Sequence, residues 1–194
     1  MFKLSKTIKK NSGMSYVELI VVLTIFVIMT SIVLFNYGEF QAKVDIKNLA
    51  SDIALKFVEA QKSALSGKLT ANSPVDWKPA YGVYFNISPS TNFIYFADLN
   101  NANGYEAGNG ETLATINITK NNSISRIDKC SNANCTSPTQ IITPISVTFK
   151  RPNSGAVFTG VTISVSEYVQ ITIISPKTAT AKIKIYPSGR VQVN

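Results

Sequence analysis

The feature that most constrains this chain is an apolar run near its start. The run extends from Leu19 to Phe35 as LIVVLTIFVIMTSIVLF and is interrupted only by hydroxyl residues, which can bond back to a helix carbonyl. With its flanking residues from Met14 to Tyr37 the segment is near the ~20 residues needed to span a bilayer as a helix. Because lysines precede it, the positive-inside rule predicts a single-pass segment in the cytoplasmic (inner) membrane, with the N-terminus inside.

Two ordinary interpretations compete for this segment: a signal anchor and a secretory signal peptide. A secretory signal has small residues after its apolar run, but here the chain continues through Asn36–Glu39 into a polar helical pattern. The small residue Gly13 precedes the run instead, and a carboxylate, Glu18, lies just inside it. An acid at that depth is costly unless it is paired, which indicates a functional role.

Residues 9–27, KKNSG followed by MSYVELIVVLTIFV, resemble the class III signal of type IV prepilins and type II secretion pseudopilins. That signal combines a short basic leader, a Gly at the cut and a Glu five residues into the mature chain. The resemblance implies that a membrane-embedded prepilin peptidase cuts between Gly13 and Met14 and N-methylates Met14. It also implies that Glu18 pairs with the Met14 amine of a neighbouring subunit, since buried opposite charges offset each other's desolvation.

A second helical pattern continues from the apolar run. No Pro or Gly occurs from Phe40 to Ala64, and apolar residues recur there at three- and four-residue spacing. Ser66–Gly67 is a C-terminal stop signal, and residues 67–79 carry two prolines without periodicity, which predicts a loop. The predicted apolar stripe consists of Ile46, Leu49, Ile53, Phe57, Ala60 and Ala64.

Beyond the loop the composition turns to strand formers. Val169, Ile171 and Ile173 alternate with other residues as in a half-buried strand, and Lys182 and Lys184 are predicted to face out from the next strand. We therefore expect an α+β fold with a long N-terminal helix and a small antiparallel β-sheet head. The predicted strands are Tyr81–Ile87 and Asn92–Ala97, paired as a hairpin, then Thr112–Thr119, Ser123–Asp128, Ile145–Lys150, Val161–Ile174, Ala179–Tyr186 and Arg190–Val193.

The order of elements extends the resemblance into the head. A long helix, a YGVYF strand, an FIYFADLN strand and a Gly-Arg pair near the C-terminus are similar to minor pseudopilins of the GspH/FimT type. The resemblance implies a type IV pilin fold, in which the helix packs on the head. The predicted segments are a leader at 1–13, a transmembrane and assembly half of the helix at 14–38, an amphipathic half at 39–66 and the head at 67–194.

An acceptor-rich stretch, DLNNANGYEAGNGE, follows the second strand of the predicted hairpin. Alternating oxygen donors of this kind suit calcium, but Ala102 occupies a ligand position and Gly104 comes one residue late. A surface turn explains the Asn and Gly content equally directly, and we favour that turn over calcium binding. If a cation binds, the candidate ligands are Asp98, Asn100, Asn103, Glu106 and Glu111.

The two cysteines, Cys130 and Cys135, enclose four residues of a polar loop. A head outside the cytoplasm is exposed to disulfide-permissive conditions, and cysteines this close in sequence bridge easily. A zinc site would need further Cys or His ligands, and the chain contains no His. We therefore expect a disulfide rather than free thiols.

Basic residues concentrate in the C-terminal third. Some FimT-like pilins bind DNA through a C-terminal Gly-Arg-x-Arg; here Gly189 and Arg190 match, but Gln192 replaces the second Arg. A solvated sheet face is the alternative explanation for scattered lysines. The candidate DNA contacts are Lys182, Lys184 and Arg190.

Charge and composition bound the remaining functions. The formal net charge is +8, but four of the 19 basic residues lie in the first ten positions, so residues 14–194 carry 15 basic and 11 acidic residues. That balance is modest for a dedicated nucleic-acid binder. Without His, a nucleophile–base pair or a metal cluster, the chain is not expected to be an enzyme or to need a cofactor.

The sequence therefore favours a structural subunit of a type IV pilus or a type II secretion-like filament, a minor pilin or pseudopilin. Its expected partners are other pilin or pseudopilin subunits, the prepilin peptidase and the cytoplasmic membrane, and it would leave that membrane for an extracytoplasmic filament on assembly. Two alternatives stay open. One is a competence-type minor pilin that binds DNA, and the other is a major pilin.

Overall fold

The computed structural model describes residues 13–86, 90–132 and 134–194. The described chain divides into two compact units, the first ending at Phe40 and the second spanning Gln41–Asn194. Nearly all of the predicted leader, residues 1–12, lies outside the described residues, as does the tip of the predicted hairpin at residues 87–89.

A long helix, α1, extends over Tyr16–Ser66 and contributes to both units. In the first unit the apolar side chains of residues 14–35 are exposed. Thr24 and Thr30 donate hydroxyl hydrogen bonds of 2.8 Å to the carbonyls of Ile20 and Phe26, so their polar groups are satisfied within the helix. In the part of the chain that the structure describes, this is the one helix long and apolar enough to cross a membrane.

The second half of α1 buries its apolar stripe in the head. Ile53, Phe57, Ala60 and Ala64 are fully buried, as predicted, whereas Leu49 is only partly covered because Ala50 takes the central position beside it. The helix ends at Ser66, as predicted. Gly67 follows with φ 63°, and its N–H donates a hydrogen bond to the Ala64 carbonyl. The helix therefore ends in a Schellman motif.

Among the described residues, ten strands follow, in two antiparallel sheets of five. In the first sheet the spatial order is β3-β2-β1-β6-β7, and in the second it is β10-β9-β8-β4-β5. The strands are β1 (Ala80–Phe85), β2 (Asn92–Asp98), β3 (Thr112–Asn117), β4 (Ser123–Cys130), β5 (Thr139–Gln140), β6 (Ile145–Phe149), β7 (Ala156–Thr159), β8 (Tyr168–Ile174), β9 (Thr180–Ile185) and β10 (Val191–Val193).

The α+β class is confirmed, and the predicted antiparallel head consists of two sheets. β5 and β7 were not predicted, and β8 begins at Tyr168 rather than at Val161. Residues 161–167 alternate like a strand, yet the Ser164 N–H donates to the Glu167 carboxylate (2.7 Å) and the Glu167 N–H donates to the Ser164 carbonyl (2.9 Å). This local turn competes with strand pairing.

The two sheets and the helix share one core. Phe57 of α1 stacks on Phe85 of β1 with ring centroids 5.8 Å apart, and the Tyr95 hydroxyl contacts the Ser63 hydroxyl at 3.1 Å. Burial raises the pKa of the Tyr95 phenol above its ordinary value, and the hydrogen bond with Ser63 offsets part of that effect. In the second sheet Val169, Ile171 and Ile173 are fully buried, as their spacing predicted, but Tyr168 and Gln170 on the opposite face are buried as well, so β8 is not half-buried.

The loop between β2 and β3 covers the other face of the first sheet. Its Tyr105 ring lies 4.8 Å from the Tyr84 ring and 5.6 Å from the Phe96 ring, and its backbone N–H donates to the Ser146 hydroxyl. Gly82 of β1 lies under this layer, where a Cβ would stand 2.7 Å from the Phe96 ring. The sheet is therefore packed on both faces.

Candidate functional sites

The predicted cleavage site lies just before the helix. Gly13 and Met14 are exposed and precede the first helical residue, Tyr16. A peptide bond outside helical hydrogen bonding can enter a peptidase site in extended form, whereas a bond within a helix would first have to unwind. The local structure is thus compatible with a cut between Gly13 and Met14.

Glu18 occupies the first turn of α1. The positive end of the helix dipole favours a carboxylate at this position. Glu18 is exposed, and the next acid along the chain is Glu39, beyond the apolar run. The carboxylate is therefore a single negative group at the tip of an apolar helix, open to an amine from outside the chain.

The apolar helix surface that follows Glu18 is uncovered in the described chain. Phe26 is 67% exposed, Leu34 68% and Phe35 84%. Removing apolar surface from water contributes about 25 cal/mol per Å². A helix with this composition is consequently driven into lipid or against other helices, as for any large exposed apolar patch.

The two buried carboxylates of the acceptor-rich loop accept hydrogen bonds from backbone N–H groups of the same loop. Asp98 accepts hydrogen bonds from the N–H groups of Ala102 (3.1 Å) and Asn103 (2.8 Å). Glu111 accepts from the N–H groups of Leu99 (3.2 Å) and Glu106 (2.9 Å). These carboxylates close the loop as turn residues do.

The other three candidate ligands are also engaged within the head. Asn100 contacts the Ala102 N–H and the Glu106 carboxylate, and the Asn103 carbonyl accepts from the Thr148 and Thr159 hydroxyls. Among the described residues no group of three or more His, Cys, Asp or Glu is arranged to hold a metal ion. The geometry favours the turn interpretation of this loop.

Cys130 and Cys135 form a disulfide, with Cα atoms 5.0 Å apart. Cys130 is buried at the end of β4, and Cys135 has φ 52°. Asn132, inside the disulfide loop, accepts a hydrogen bond from the Tyr168 hydroxyl through its carbonyl (2.8 Å). The bridge closes the loop at the end of β4, and the Tyr168 hydrogen bond attaches the loop to β8. The predicted pairing is confirmed.

The three candidate DNA contacts lie on one face of the β9–β10 hairpin. Lys182 and Arg190 are exposed, and the Arg190 guanidinium stacks on the Tyr186 ring at 4.0 Å. The prediction that Lys184 faces solvent is wrong, because its side chain is buried and its Nζ lies 5.2 Å from the centre of the Tyr168 ring. The sequence pattern gave no signal for this aromatic cover.

Comparison of the chain with protein-family models, curated proteins and solved structures finds no match. Functional inference therefore rests on the residues and contacts described above.

Proposed function

We propose that this chain is a structural subunit, a minor pilin or pseudopilin, of a type IV pilus or type II secretion-like filament. In this proposal prepilin peptidase cuts after Gly13 and N-methylates Met14. The mature subunit is inserted in the cytoplasmic membrane with its N-terminus inside. It then assembles into an extracytoplasmic filament by packing its N-terminal helix against those of other subunits. Other subunits of the filament are its main partners.

The observation that carries the proposal is the exposed apolar half of α1 with one carboxylate, Glu18, in its first turn. A helix that served only as an anchor would gain nothing from an acid at this depth, where a charge is expensive. In a filament subunit, the same acid would fix the register between neighbouring helices. The Glu18 carboxylate is satisfied only when the new Met14 amine of a neighbour lies opposite, so a shifted neighbour is penalised.

The test replaces Glu18 and follows the protein between membrane and filament. Removing one partner of a buried ion pair costs about 3–5 kcal/mol. We therefore expect Glu18→Val to reduce incorporation into sheared filaments about 100-fold or more, since each 1.36 kcal/mol is about tenfold. Membrane insertion should persist, because the replacement removes a charge from the apolar segment.

Glu39→Val is the matched control, since Glu39 is an exposed acid of the same helix but lies beyond the apolar run. It should enter filaments at the wild-type level. Equal incorporation of Glu18→Val and wild type would contradict the pairing mechanism. If both variants lose filament incorporation to the same extent, the loss of any acid on this helix is enough to prevent incorporation, and the pairing of Glu18 with Met14 is not the cause.

A DNA-binding minor pilin is the second candidate. It is supported by the exposure of Lys182 and Arg190 on one face of the β9–β10 hairpin. Removing one cation that binds a phosphate should reduce the salt dependence of binding by about one unit of slope. In mobility-shift assays at low and high salt, Lys182→Ala/Arg190→Ala should weaken binding, with Lys177→Ala as the control. Absence of salt-sensitive binding by the wild-type chain would end this alternative.

A further inference from the structure

The β2–β3 loop contains two Asn-Gly pairs, Asn103–Gly104 and Asn109–Gly110, in different surroundings. Asn-Gly is the dipeptide most open to attack of a backbone nitrogen on the preceding side-chain amide, because glycine has no Cβ to obstruct the approach and rotates freely. Whether the reaction occurs in a folded protein depends on how firmly the peptide between the two residues is held. The two pairs can therefore be compared directly within one loop.

The first pair is clamped. The Asn103 N–H donates to the Asp98 carboxylate (2.8 Å), and the Asn103 carbonyl accepts from the hydroxyls of Thr148 (3.0 Å) and Thr159 (2.5 Å). That carbonyl belongs to the same peptide plane as the Gly104 nitrogen, so holding the oxygen also holds the attacking atom. Gly104 is moreover buried, with the Thr159 methyl 3.2 Å from where its Cβ would stand.

The second pair lies in an exposed turn at residues 107–110. Asn109 and Gly110 are both exposed, and Gly110 has φ 74°. Within residues 13–86, 90–132 and 134–194, no side chain donates a hydrogen bond to the Asn109 carbonyl, whereas two hydroxyls donate to the Asn103 carbonyl. The neighbour nearest to the place of a Gly110 Cβ is the Asn72 side-chain amide, at 3.1 Å. The Asn109 side-chain amide donates to the Glu106 carboxylate, at 2.6 Å.

We propose that Asn109 is a site of spontaneous deamidation and that Asn103 is protected from it. The Gly110 backbone nitrogen loses its proton and attacks Cγ of Asn109. A new N–Cγ bond forms, the Cγ–Nδ2 bond breaks, and ammonia leaves. Solvent water then opens the resulting succinimide at either carbonyl, which gives aspartate or isoaspartate at position 109.

The reaction changes the charge of this loop. Glu106 loses an amide donor at its Oε2 and gains a carboxylate as neighbour, although Asn100 still donates to the same oxygen at 2.9 Å. Like charges in contact repel, so the segment from Glu106 to Gly110 should loosen. The buried part of the loop should stay closed, because Asp98 still accepts from the Asn103 N–H and Glu111 still accepts from the Leu99 N–H.

The experiment incubates the full chain in detergent micelles at mildly alkaline pH and maps aspartate and isoaspartate at both positions by peptide mass spectrometry. A synthetic peptide of residues 100–112 gives the rates without the fold. In the peptide both Asn residues should react at similar rates. In the protein, Asn103 should react more than about tenfold slower than Asn109, because its three hydrogen bonds must open first.

Two variants test the reason for the difference. Thr159→Ala removes one hydroxyl from an exposed position of β7 and should speed the reaction at Asn103 while leaving the Asn109 rate unchanged. Asn109→Gln keeps the amide donor and should abolish the product at position 109, since ring closure through the longer side chain is unfavourable. The inference is overturned if Asn103 reacts as fast as Asn109 in the folded chain, or if Asn109 stays intact while the peptide reacts.

Discussion

Phe57 offers the sharpest test of how the helix is held in the head. Its side chain is fully buried and stacks on Phe85, with ring centroids 5.8 Å apart. Replacing a buried Phe by Ala removes the transfer free energy of the ring and leaves a cavity, at a cost of about 3–5 kcal/mol. Part of that cost, about 0.5–1.5 kcal/mol, is the aromatic pair itself.

The matched control for Phe57→Ala is Leu55→Ala, two residues away on the same helix, where the side chain is 61% exposed. Leu and Ala are both good helix formers, so this change should stay within about 0.5 kcal/mol. For a unit of this size each kcal/mol shifts the Tm by about 2–4 °C. We therefore expect Phe57→Ala to lower the Tm by about 6–20 °C and Leu55→Ala by about 2 °C or less.

The assay is thermal unfolding of the full chain in detergent, followed by the near-ultraviolet circular dichroism of the packed aromatic residues. Phe57→Ala with a Tm within about 2 °C of Leu55→Ala would refute the reasoning. That result would mean that the second half of α1 does not pack its stripe against the sheets.

Two further predictions concern the head. Cys130→Ser/Cys135→Ser opens a bridge of sequence separation 5 and should cost roughly 2 kcal/mol of unfolding free energy in the chain-entropy model. Reduction should bring the wild-type Tm to that of the variant and leave the variant unchanged; equal melting of the oxidised wild type and the variant would contradict the expectation. The Ser164 N–H and the Lys129 ammonium, 2.9 Å away, lower the pKa of Glu167 below its ordinary value. A lowered carboxyl pKa stabilises the fold above the pKa of the unfolded chain, and this contribution disappears as the pH falls through the lowered pKa. Glu167→Gln should thus melt below wild type near neutral pH, with the difference closing in acid; a difference independent of pH would contradict this.

Local signals in the sequence predicted the helix and most strands. The end of α1 followed from Gly67, whose φ of 63° suits a residue without Cβ, and the buried face of β8 followed from its alternation. β7 was missed because four residues between Gly155 and Gly160 carry too little pattern. The alternating residues 161–167 were misread because a side-chain turn at Glu167 competes with strand pairing.

Contacts between strands were beyond the sequence pattern. Alternation correctly placed Lys184 on the face opposite Ile183 and Ile185, but it could not show that the Tyr168 ring from the neighbouring strand covers that face. For the same reason the spacing of Asp98 and Asn100 suited a cation and a turn alike. The direction of the Asp98 carboxylate, toward the N–H groups of its own loop, distinguishes the two.

The most direct test of the proposed filament role is the mass of the N-terminal peptide of the chain isolated from the membranes and filaments of the producing cell. The proposal predicts a peptide that begins at Met14 and carries one methyl group on its amine, together with loss of this product in a Gly13 variant with a charged replacement. A chain that begins at Met1, or that is cut after Phe35, would contradict the proposal. In the first case the Met14 amine would never form, and in the second both the apolar helix and Glu18 would be removed.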